Sequence, residues 1–231
     1  AVLPIAAATS DQIETGELSW LAIFAIDAGA ATVLAAIAIA VGVWLGPATD
    51  LGTLFGGEHR ADWLQRTLPL TLFLGITFGV LTALCLEGLI STSLLPRDLF
   101  SEFQKTAWKG VLVSVSAGIK EELLLRFGLM PLWAWSLMKL SRSAQAGPGI
   151  LWTANIIAAL LFGLVHLPAA STVLDVTPFV IAVVLTLNGI AGVTFGWLYW
   201  RRGIAAAIMA HFFADIVLQV LYPLAVGAST L

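Results

Sequence analysis

The chain has 231 residues, of which 59% are hydrophobic and 11% are charged, whereas an ordinary soluble domain carries about 25% charged residues. So few charged side chains cannot cover a water-facing surface, which excludes an ordinary soluble protein and predicts one embedded in a lipid bilayer. The net charge of -3 and the lack of any run of Lys and Arg exclude a nucleic-acid partner. The single Cys85 excludes a disulfide framework.

Six stretches of the sequence are apolar over about the 20 residues that a helix needs to cross the hydrocarbon layer. In chain order they are Leu21–Leu45, Leu70–Leu94, Ala107–Met130 with a continuation past Pro131 as Leu132–Leu140, Ile150–Leu167, Pro178–Trp200 and Ile204–Val226. The pattern leaves open whether the third stretch is one kinked helix or a span followed by a short re-entrant piece. We therefore predict an all-α, polytopic transmembrane helix bundle of six spans, alternatively seven, in a single domain over residues 1–231.

Basic residues in the loops predict an orientation, because Lys and Arg collect on the cytoplasmic side of a membrane. With six spans, one side carries Arg60, Arg66, Lys139, Arg142, Arg201 and Arg202, and the other carries Arg97, Lys105 and Lys109. We expect the first side to be cytoplasmic, both termini to face outward, and the protein to lie in the cell (inner) membrane. With seven spans, four of the six residues on the first side would change sides.

Ionisable side chains inside the spans mark candidate functional positions, because each costs several kcal/mol unless it is paired or meets water. They are Asp27, Glu87, Lys120, Glu121, Glu122, Arg126, His166, His211 and Asp215. The sequence suggests no partner for Asp27, Glu87 or Lys120. Of these three, Glu87 is the one we expect to line a cavity.

The run from Gly118 to Arg126 places two acids and one base on a single predicted helix. Residues four apart share a helix face, so Glu122 is expected to pair with Arg126, while adjacent Glu121 points elsewhere and can serve as a general base. An equally weighted alternative is that both acids and Arg126 form a packing network or lie at a helix end among the lipid headgroups.

Two histidines lie on other predicted spans. His166 follows Phe162 by one helical turn, and alone it would more often be an interfacial or hydrogen-bonded residue than a catalyst. His211 and Asp215 share a face, so Asp215 can accept a proton from the imidazole and fix its tautomer, or the pair can join two helices. Polar residues on three separate apolar helices favour one shared, water-accessible site.

Gly192 and Gly196 in the fifth span form a small-xxx-small pair. Such a pair permits close contact between two helices in a membrane. We interpret it as a packing signal with no catalytic role.

Three motifs resemble, in order, those of the CPBP family of intramembrane proteases (CAAX prenyl protease and bacteriocin-processing, or Abi, proteins). They are Glu121-Glu122-x-x-x-Arg126, Phe162-x-x-x-His166 and His211-x-x-x-Asp215. The motif-bearing core covers about residues 107–226, and the first two spans carry no motif. The resemblance implies that Glu121 activates a water with help from His166, and that His211 and Asp215 stabilise the oxyanion. Glu122, Arg126 and Phe162 would support the site.

One position departs from the better-known relatives. The prenyl-protease members often have Asn, a neutral donor, where this chain has Asp215. An ionised Asp cannot donate a hydrogen bond to an oxyanion. Asp215 must then be protonated, orient His211 or bind something positive.

The sequence excludes two other protease classes, since it has neither a GxSxG serine motif nor an HExxH zinc helix. A zinc site made by His166, His211 and either Glu121 or Asp215 remains a chemical variant, although we expect no tightly held metal or other cofactor. The leading hypothesis is an intramembrane endopeptidase acting on a peptide or membrane-protein substrate. The alternatives are a non-catalytic scaffold or maturation factor of the same fold and a proton-coupled carrier.

Overall fold

The structure, a computed structural model, describes residues 20–57, 59–96 and 107–228. Its helices are α1 Trp20–Leu45, α2 Arg60–Ser91, α3 Ala107–Glu122, α4 Met130–Ser141, α5 Pro148–Ala170, α6 Pro178–Arg202, α7 Ile204–Ile216 and α8 Tyr222–Ala228. Two π-helical segments, π1 Leu123–Leu129 and π2 Val217–Leu221, and a short 3₁₀ turn, Pro47–Thr49, complete the secondary structure. No β-strand occurs in the part of the chain that the structure describes, so the all-α prediction is confirmed.

Six helical stretches are long and apolar enough to cross a membrane. They are Ala28–Leu45, Arg60–Ser91, Lys109–Ser141, Pro148–Ala170, Pro178–Arg202 and Ile204–Val226. The third contains most of α3, all of π1 and α4, and forms one stretch of 33 residues. In the part of the chain that the structure describes, six helical stretches can therefore span a membrane, the third of them as one helix, and the chain is an integral multi-pass membrane protein.

Two helix boundaries differ from the predicted ones. Helix α2 begins at Arg60 and not at Leu70, because the polar residues ahead of the apolar stretch are compatible with a helix and can meet water or headgroups. Helix α5 continues past Pro168. The proline does not close the helix, since the Ser171 N–H still donates to the Leu167 carbonyl at 2.9 Å.

Each π-helical segment ends shortly before a proline. Segment π1 precedes Pro131 and π2 precedes Pro223. Proline lacks the N–H that would bond four residues back, and its ring clashes with the carbonyl there, so a widened turn ahead of it relieves the crowding. Both π-helical segments lie next to motif residues: π1 follows Glu122, and π2 follows shortly after Asp215. Because π-helical turns often occur at functional sites, this position marks their surroundings as a candidate site.

The internal contacts group the chain into two compact units. The first comprises Leu123–Gly196 and the chain up to Gly52, and the second comprises Thr53–Glu122 and the chain from Trp197 onward. Each unit therefore combines segments that are distant in sequence. The prediction of a single domain is not tested by this grouping and stays a prediction.

In the first unit, small residues bring α5 and α6 close together. A Cβ added at Gly192 would lie 2.8 Å from the Ala159 Cα, and one at Gly196 would collide with the Asn155 side chain. The Asn155 amide also donates to the Val193 carbonyl at 3.0 Å. The prediction that the glycine pair serves helix packing is confirmed.

In the second unit, α7 lies directly against the glycine positions of α2. A Cβ at Gly75 would collide with the Ala210 carbonyl, and one at Gly79 would lie 2.8 Å from the Ala214 carbonyl. Without side chains at these two positions, the backbones approach closely, as they do at other small-xxx-small contacts in membranes.

A second stripe of small residues, on α3, faces the same helix. A Cβ at Gly118 would lie 3.3 Å from the Ile208 carbonyl, and one at Gly110 would lie 2.5 Å from the Gln219 carbonyl. Ser114, between them, is fully buried, and its hydroxyl donates a hydrogen bond to the Gly110 carbonyl at 2.7 Å. The stripe brings the end of α3 against the middle of the last span.

A single glycine separates α6 from α7. Gly203 has a φ of 87°, which L side chains adopt only with strain. The Thr53 carbonyl accepts from the Ile204 N–H at 3.1 Å, and the Trp63 indole donates to the Arg202 carbonyl at 2.6 Å. These bonds fix where α7 begins and thus set the depth of its polar residues.

Candidate active site

His211, on α7, is the central side chain of the candidate site. It is 5% exposed, and its Nδ1–H donates to Glu122 Oε1 at 2.8 Å. Glu122 ends α3 and is fully buried. A carboxylate that accepts from one imidazole nitrogen fixes the ring orientation and the tautomer, so Glu122 holds the other ring nitrogen in place.

Two more carboxyl groups lie on the Nε2 side of the same imidazole. Asp215 Oδ2 is 3.7 Å and Glu121 Oε2 is 4.0 Å from that nitrogen. Both distances exceed a hydrogen bond, and both carboxyl side chains retain slight exposure, 14% for Asp215 and 12% for Glu121. One nitrogen of His211 is therefore hydrogen bonded to a fully buried carboxyl group, and the other faces two less buried acids.

The two adjacent glutamates reach the same imidazole from opposite sides. They can do so because a glutamate side chain is long and an imidazole has two nitrogens. The expectation that Glu121 points away from a Glu122–Arg126 pair and serves as a general base stays a prediction. Glu122 holds the Nδ1 side of His211, while the orienting role of Asp215 and the pairing of Glu122 with Arg126 stay predictions.

Arg126 lies in π1 and is fully buried. Within the first unit its Nη2 donates to the Gly192 carbonyl at 3.1 Å, and its guanidinium lies 4.4 Å from the centroid of the Phe162 ring. A guanidinium over an aromatic face is attracted by the ring quadrupole. Because Gly192 has no side chain, its carbonyl is also accessible to the Arg126 guanidinium.

His166, on α5, is held by its own helix. Its Nδ1–H donates to the Phe162 carbonyl at 2.7 Å, and its ring packs edge-on against the Phe162 ring with centroids 4.7 Å apart. Within the Phe162-x-x-x-His166 motif, Phe162 therefore orients the histidine through two contacts, one from its backbone carbonyl and one from its ring. The prediction that His166 joins Glu121 and His211 in one cavity stays a prediction.

One polar contact of the second unit is not indicated by the sequence pattern. The Tyr222 hydroxyl donates to Glu87 Oε2 at 2.7 Å, and Glu87 is exposed near the end of α2. Gln219 was also missed, although it follows Asp215 by one turn and its amide nitrogen lies 3.5 Å from Asp215 Oδ2. Its spacing from His211 and Asp215 could have identified it. Lys120 is half-buried, and the Asp27 side chain is outside the described residues.

A metal site is a separate question. Among the described residues, no group of three or more His, Cys, Asp or Glu side chains is arranged to hold a metal ion. The expectation of catalysis without a tightly held metal, and the zinc variant beside it, both stay predictions.

Comparison with known proteins identifies the family. The model of the Rce1-like family, type II CAAX prenyl endopeptidases, matches residues 103–217, which contain all three motifs. No curated protein and no solved structure matches the chain. The match agrees with the CPBP resemblance and supports a CAAX-type intramembrane endopeptidase in general. Residues 103–217 form an Rce1-like domain of the type II CAAX prenyl endopeptidase family, consistent with a CPBP-family intramembrane protease.

Proposed function

We propose that this chain hydrolyses a peptide bond at the membrane with a water activated by Glu121. The observation that carries the proposal is the convergence of three carboxyl groups on His211, one bonded to Nδ1 and two beside Nε2. The family supplies the reaction class. The roles of the individual residues follow from their surroundings.

Glu121 is the proposed general base. Its carboxylate takes a proton from water as the water oxygen attacks the carbonyl carbon of the scissile bond. The carbonyl oxygen becomes an oxyanion, and when the intermediate collapses, the C–N bond breaks and Glu121 passes the proton to the leaving nitrogen. Its slight exposure and its place beside Nε2 support this role over that of Glu122, which is fully buried and committed to Nδ1.

His211 is the proposed oxyanion donor. A negatively charged Glu122 at Nδ1 balances the charge of a doubly protonated imidazole, whose Nε2–H can then donate to the oxyanion. A donor that is already oriented before the reaction stabilises the developing charge without reorganisation. Asp215 lies on this same side of the ring, and a protonated Asp215 would add a second donor.

His166 is the proposed assistant of Glu121, a role that the family resemblance implies. Support comes from its tautomer: because Nδ1–H is committed to the Phe162 carbonyl, the neutral ring carries its lone pair on Nε2. That nitrogen can accept a hydrogen bond from the water molecule that Glu121 deprotonates.

The substrate that the family suggests is a peptide whose C-terminal CAAX cysteine carries a prenyl group. We would offer the purified protein, in lipid nanodiscs, a fluorescent peptide with such a tail, the same peptide without the prenyl group, and a hydrophobic leader peptide. Mass spectrometry would identify the cleaved bond. We expect cleavage of at least one peptide by the wild-type chain, and a rate lowered by about 10² to 10⁴ in Glu121→Gln at equal yield.

Asp62→Asn is the matched control, because it changes an exposed carboxyl in the first turn of α2, distant in the sequence from the motifs. It should cleave at the wild-type rate. A chain that cleaves no peptide yet carries protons across a vesicle membrane through Glu121 would be a carrier. A folded chain with neither activity would indicate a scaffold.

We expect the protein to lie in the cell (inner) membrane.

A further inference from the structure

We propose that one face of the last span, between the Glu87–Tyr222 pair and His211, is a water path that supplies the site. The use of this water rests on the proposed hydrolysis, but the path itself is a property of the second unit. Hydrolysis consumes one water for each bond broken. A site on apolar helices therefore needs a polar route through them.

The polar residues of the last span share one face. His211, Asp215 and Gln219 follow one another at spacings of four, the spacing of neighbours along a helix face, and contacts join them in this order. Tyr222 follows Gln219 by three residues, across the end of π2. The intervening Leu221 is 54% exposed and points to another side. The face thus forms a polar stripe on an otherwise apolar span.

Contacts connect the stripe at both ends. At the inner end, the Gln219 amide nitrogen lies 3.5 Å from Asp215 Oδ2, which in turn lies 3.7 Å from His211 Nε2. At the outer end, the Tyr222 hydroxyl donates to Glu87 Oε2 at 2.7 Å. Exposure rises in the same direction, from buried His211 through half-buried Gln219 and Tyr222 to exposed Glu87.

The local backbone agrees with this assignment. Gln219 lies in the middle of π2, where the helix turn is widened, and π-helical turns are frequent at functional sites. A primary amide within an apolar span is costly unless it is hydrogen bonded or meets water. The carboxyl group of Asp215, the amide of Gln219 and the hydroxyl of Tyr222 provide the two to four polar partners that an ordered water needs.

Thiol labelling tests the path without any need for proteolysis. In a Cys85→Ala background, Gln219→Cys and Leu221→Cys would each be placed in lipid nanodiscs and exposed to a charged, water-soluble methanethiosulfonate reagent. Only a cysteine in contact with water ionises and reacts readily. Leu221 is the matched control, because it lies in the same π-helical segment only two residues away and is an exposed apolar side chain.

We expect Gln219→Cys to react about tenfold faster than Leu221→Cys, and Glu87→Leu to slow the labelling of Gln219→Cys. Equal rates at the two positions, or no reaction at either, would overturn the path. Unchanged labelling in the Glu87→Leu variant would overturn the assignment of its outer end. If Gln219→Cys gives no folded protein, Tyr222→Cys takes its place in the same comparison.

Activity measurements link the path to the site. Gln219→Leu should lower the rate of peptide cleavage about tenfold, as expected for the loss of one well-placed hydrogen bond, while Leu221→Ala leaves it unchanged. Fast labelling at Gln219→Cys in a chain that cleaves nothing would retain the path and reject the proposed hydrolysis. Cleavage that is insensitive to Gln219→Leu, together with slow labelling, would reject the path and retain the hydrolysis.

Discussion

His211 and His166 are both histidines on apolar helices, but their rings are held in different ways. Glu122, a side chain from another helix, accepts from His211 Nδ1–H, whereas the Phe162 backbone carbonyl of the same helix accepts from His166 Nδ1–H. The ring of His166 is therefore oriented as soon as α5 forms. That of His211 is oriented only when α3 and α7 have packed.

The two histidines should therefore respond differently to substitution of their partners. A backbone carbonyl survives any change of side chain, so the bond that orients His166 does not depend on the Phe162 side chain. The orientation of His211 depends on a carboxylate that one substitution removes. The two regions also differ in charge, since three acids surround His211 and a buried guanidinium lies over the aromatic partner of His166.

The largest effect is expected from removing the proposed base on the His211 side. Glu121→Gln keeps the size of the side chain but cannot take a proton, and a positioned general base contributes about 10² to 10⁴ in rate. We expect peptide cleavage to fall by that factor, with unchanged protein yield and unchanged elution in size-exclusion chromatography. If Glu122→Gln removed activity at full yield while Glu121→Gln retained it, the roles of the two acids would have to be exchanged.

Asp215 is expected to show the next largest effect. If it orients groups or donates while protonated, Asp215→Asn should retain much of the cleavage rate, because Asn keeps an acceptor and always offers a donor. Asp215→Leu should lower it about 10² to 10³, the usual effect of losing one oxyanion donor. Initial rates on the same peptide measure both variants.

Equal loss in the Asn and Leu variants would mean that the negative charge of Asp215 is itself required. Asp215 would then be a proton-relay acid or a metal ligand. Leu218→Ala, at a half-buried apolar position beside the polar face, is the control for general disturbance of this helix.

The membrane spans and the contacts within one helical turn could be predicted from the sequence. The six spans follow from composition, since lipid requires long apolar helices, and contacts within one turn follow from spacing. These include the shared face of His211 and Asp215 and the approach of Phe162 to His166. Resemblance to a family supplied the roles, which spacing could not.

Contacts between helices were beyond the sequence. The bond from His211 to Glu122 joins residues 89 apart, and it depends on a close approach of α3 to α7 at Gly118. The spacing of Gly110, Ser114 and Gly118 indicates a close contact but does not name the partner. The π-helical segments were also missed, because a proline predicts a disturbance of the helix and not its form.

Loss of the Glu122 carboxylate should reduce stability more than any change at the His166 turn. Removing one member of a buried, bonded pair costs about 3 to 5 kcal/mol, so Glu122→Ala should lower the yield of folded protein and the thermal midpoint in detergent. Glu122→Gln, which keeps an acceptor oxygen for Nδ1–H, should lose much less. A Glu122→Ala protein as stable as the wild type would show that His211 does not depend on this contact.

A smaller effect is expected on the His166 side. Phe162→Leu removes the aromatic face beneath the Arg126 guanidinium, a contact worth about 0.5 to 2 kcal/mol, but retains the backbone carbonyl that orients His166. The thermal midpoint should fall by a few degrees, and cleavage should remain measurable. Phe73→Leu, at a position 66% exposed, is the control and should change neither. A complete loss of cleavage would mean that the ring itself, and not the carbonyl, orients His166.

No effect at all is expected from metal removal. This outcome tests whether His211 and His166 act without a metal ion. Glu122 accepts from Nδ1–H of His211, and the resemblance assigns Glu121 the role of base, so neither role requires a metal. We expect purified protein to keep its cleavage rate after treatment with a chelator and dialysis, with far less than one zinc per chain by elemental analysis. Stoichiometric zinc, together with activity that is lost on chelation and restored by zinc, would contradict this. His211 and His166 would then serve as ligands of one ion, with Glu121 or Asp215 as the third, and the two ways of orienting an imidazole would both be devices for presenting Nε2 to a metal.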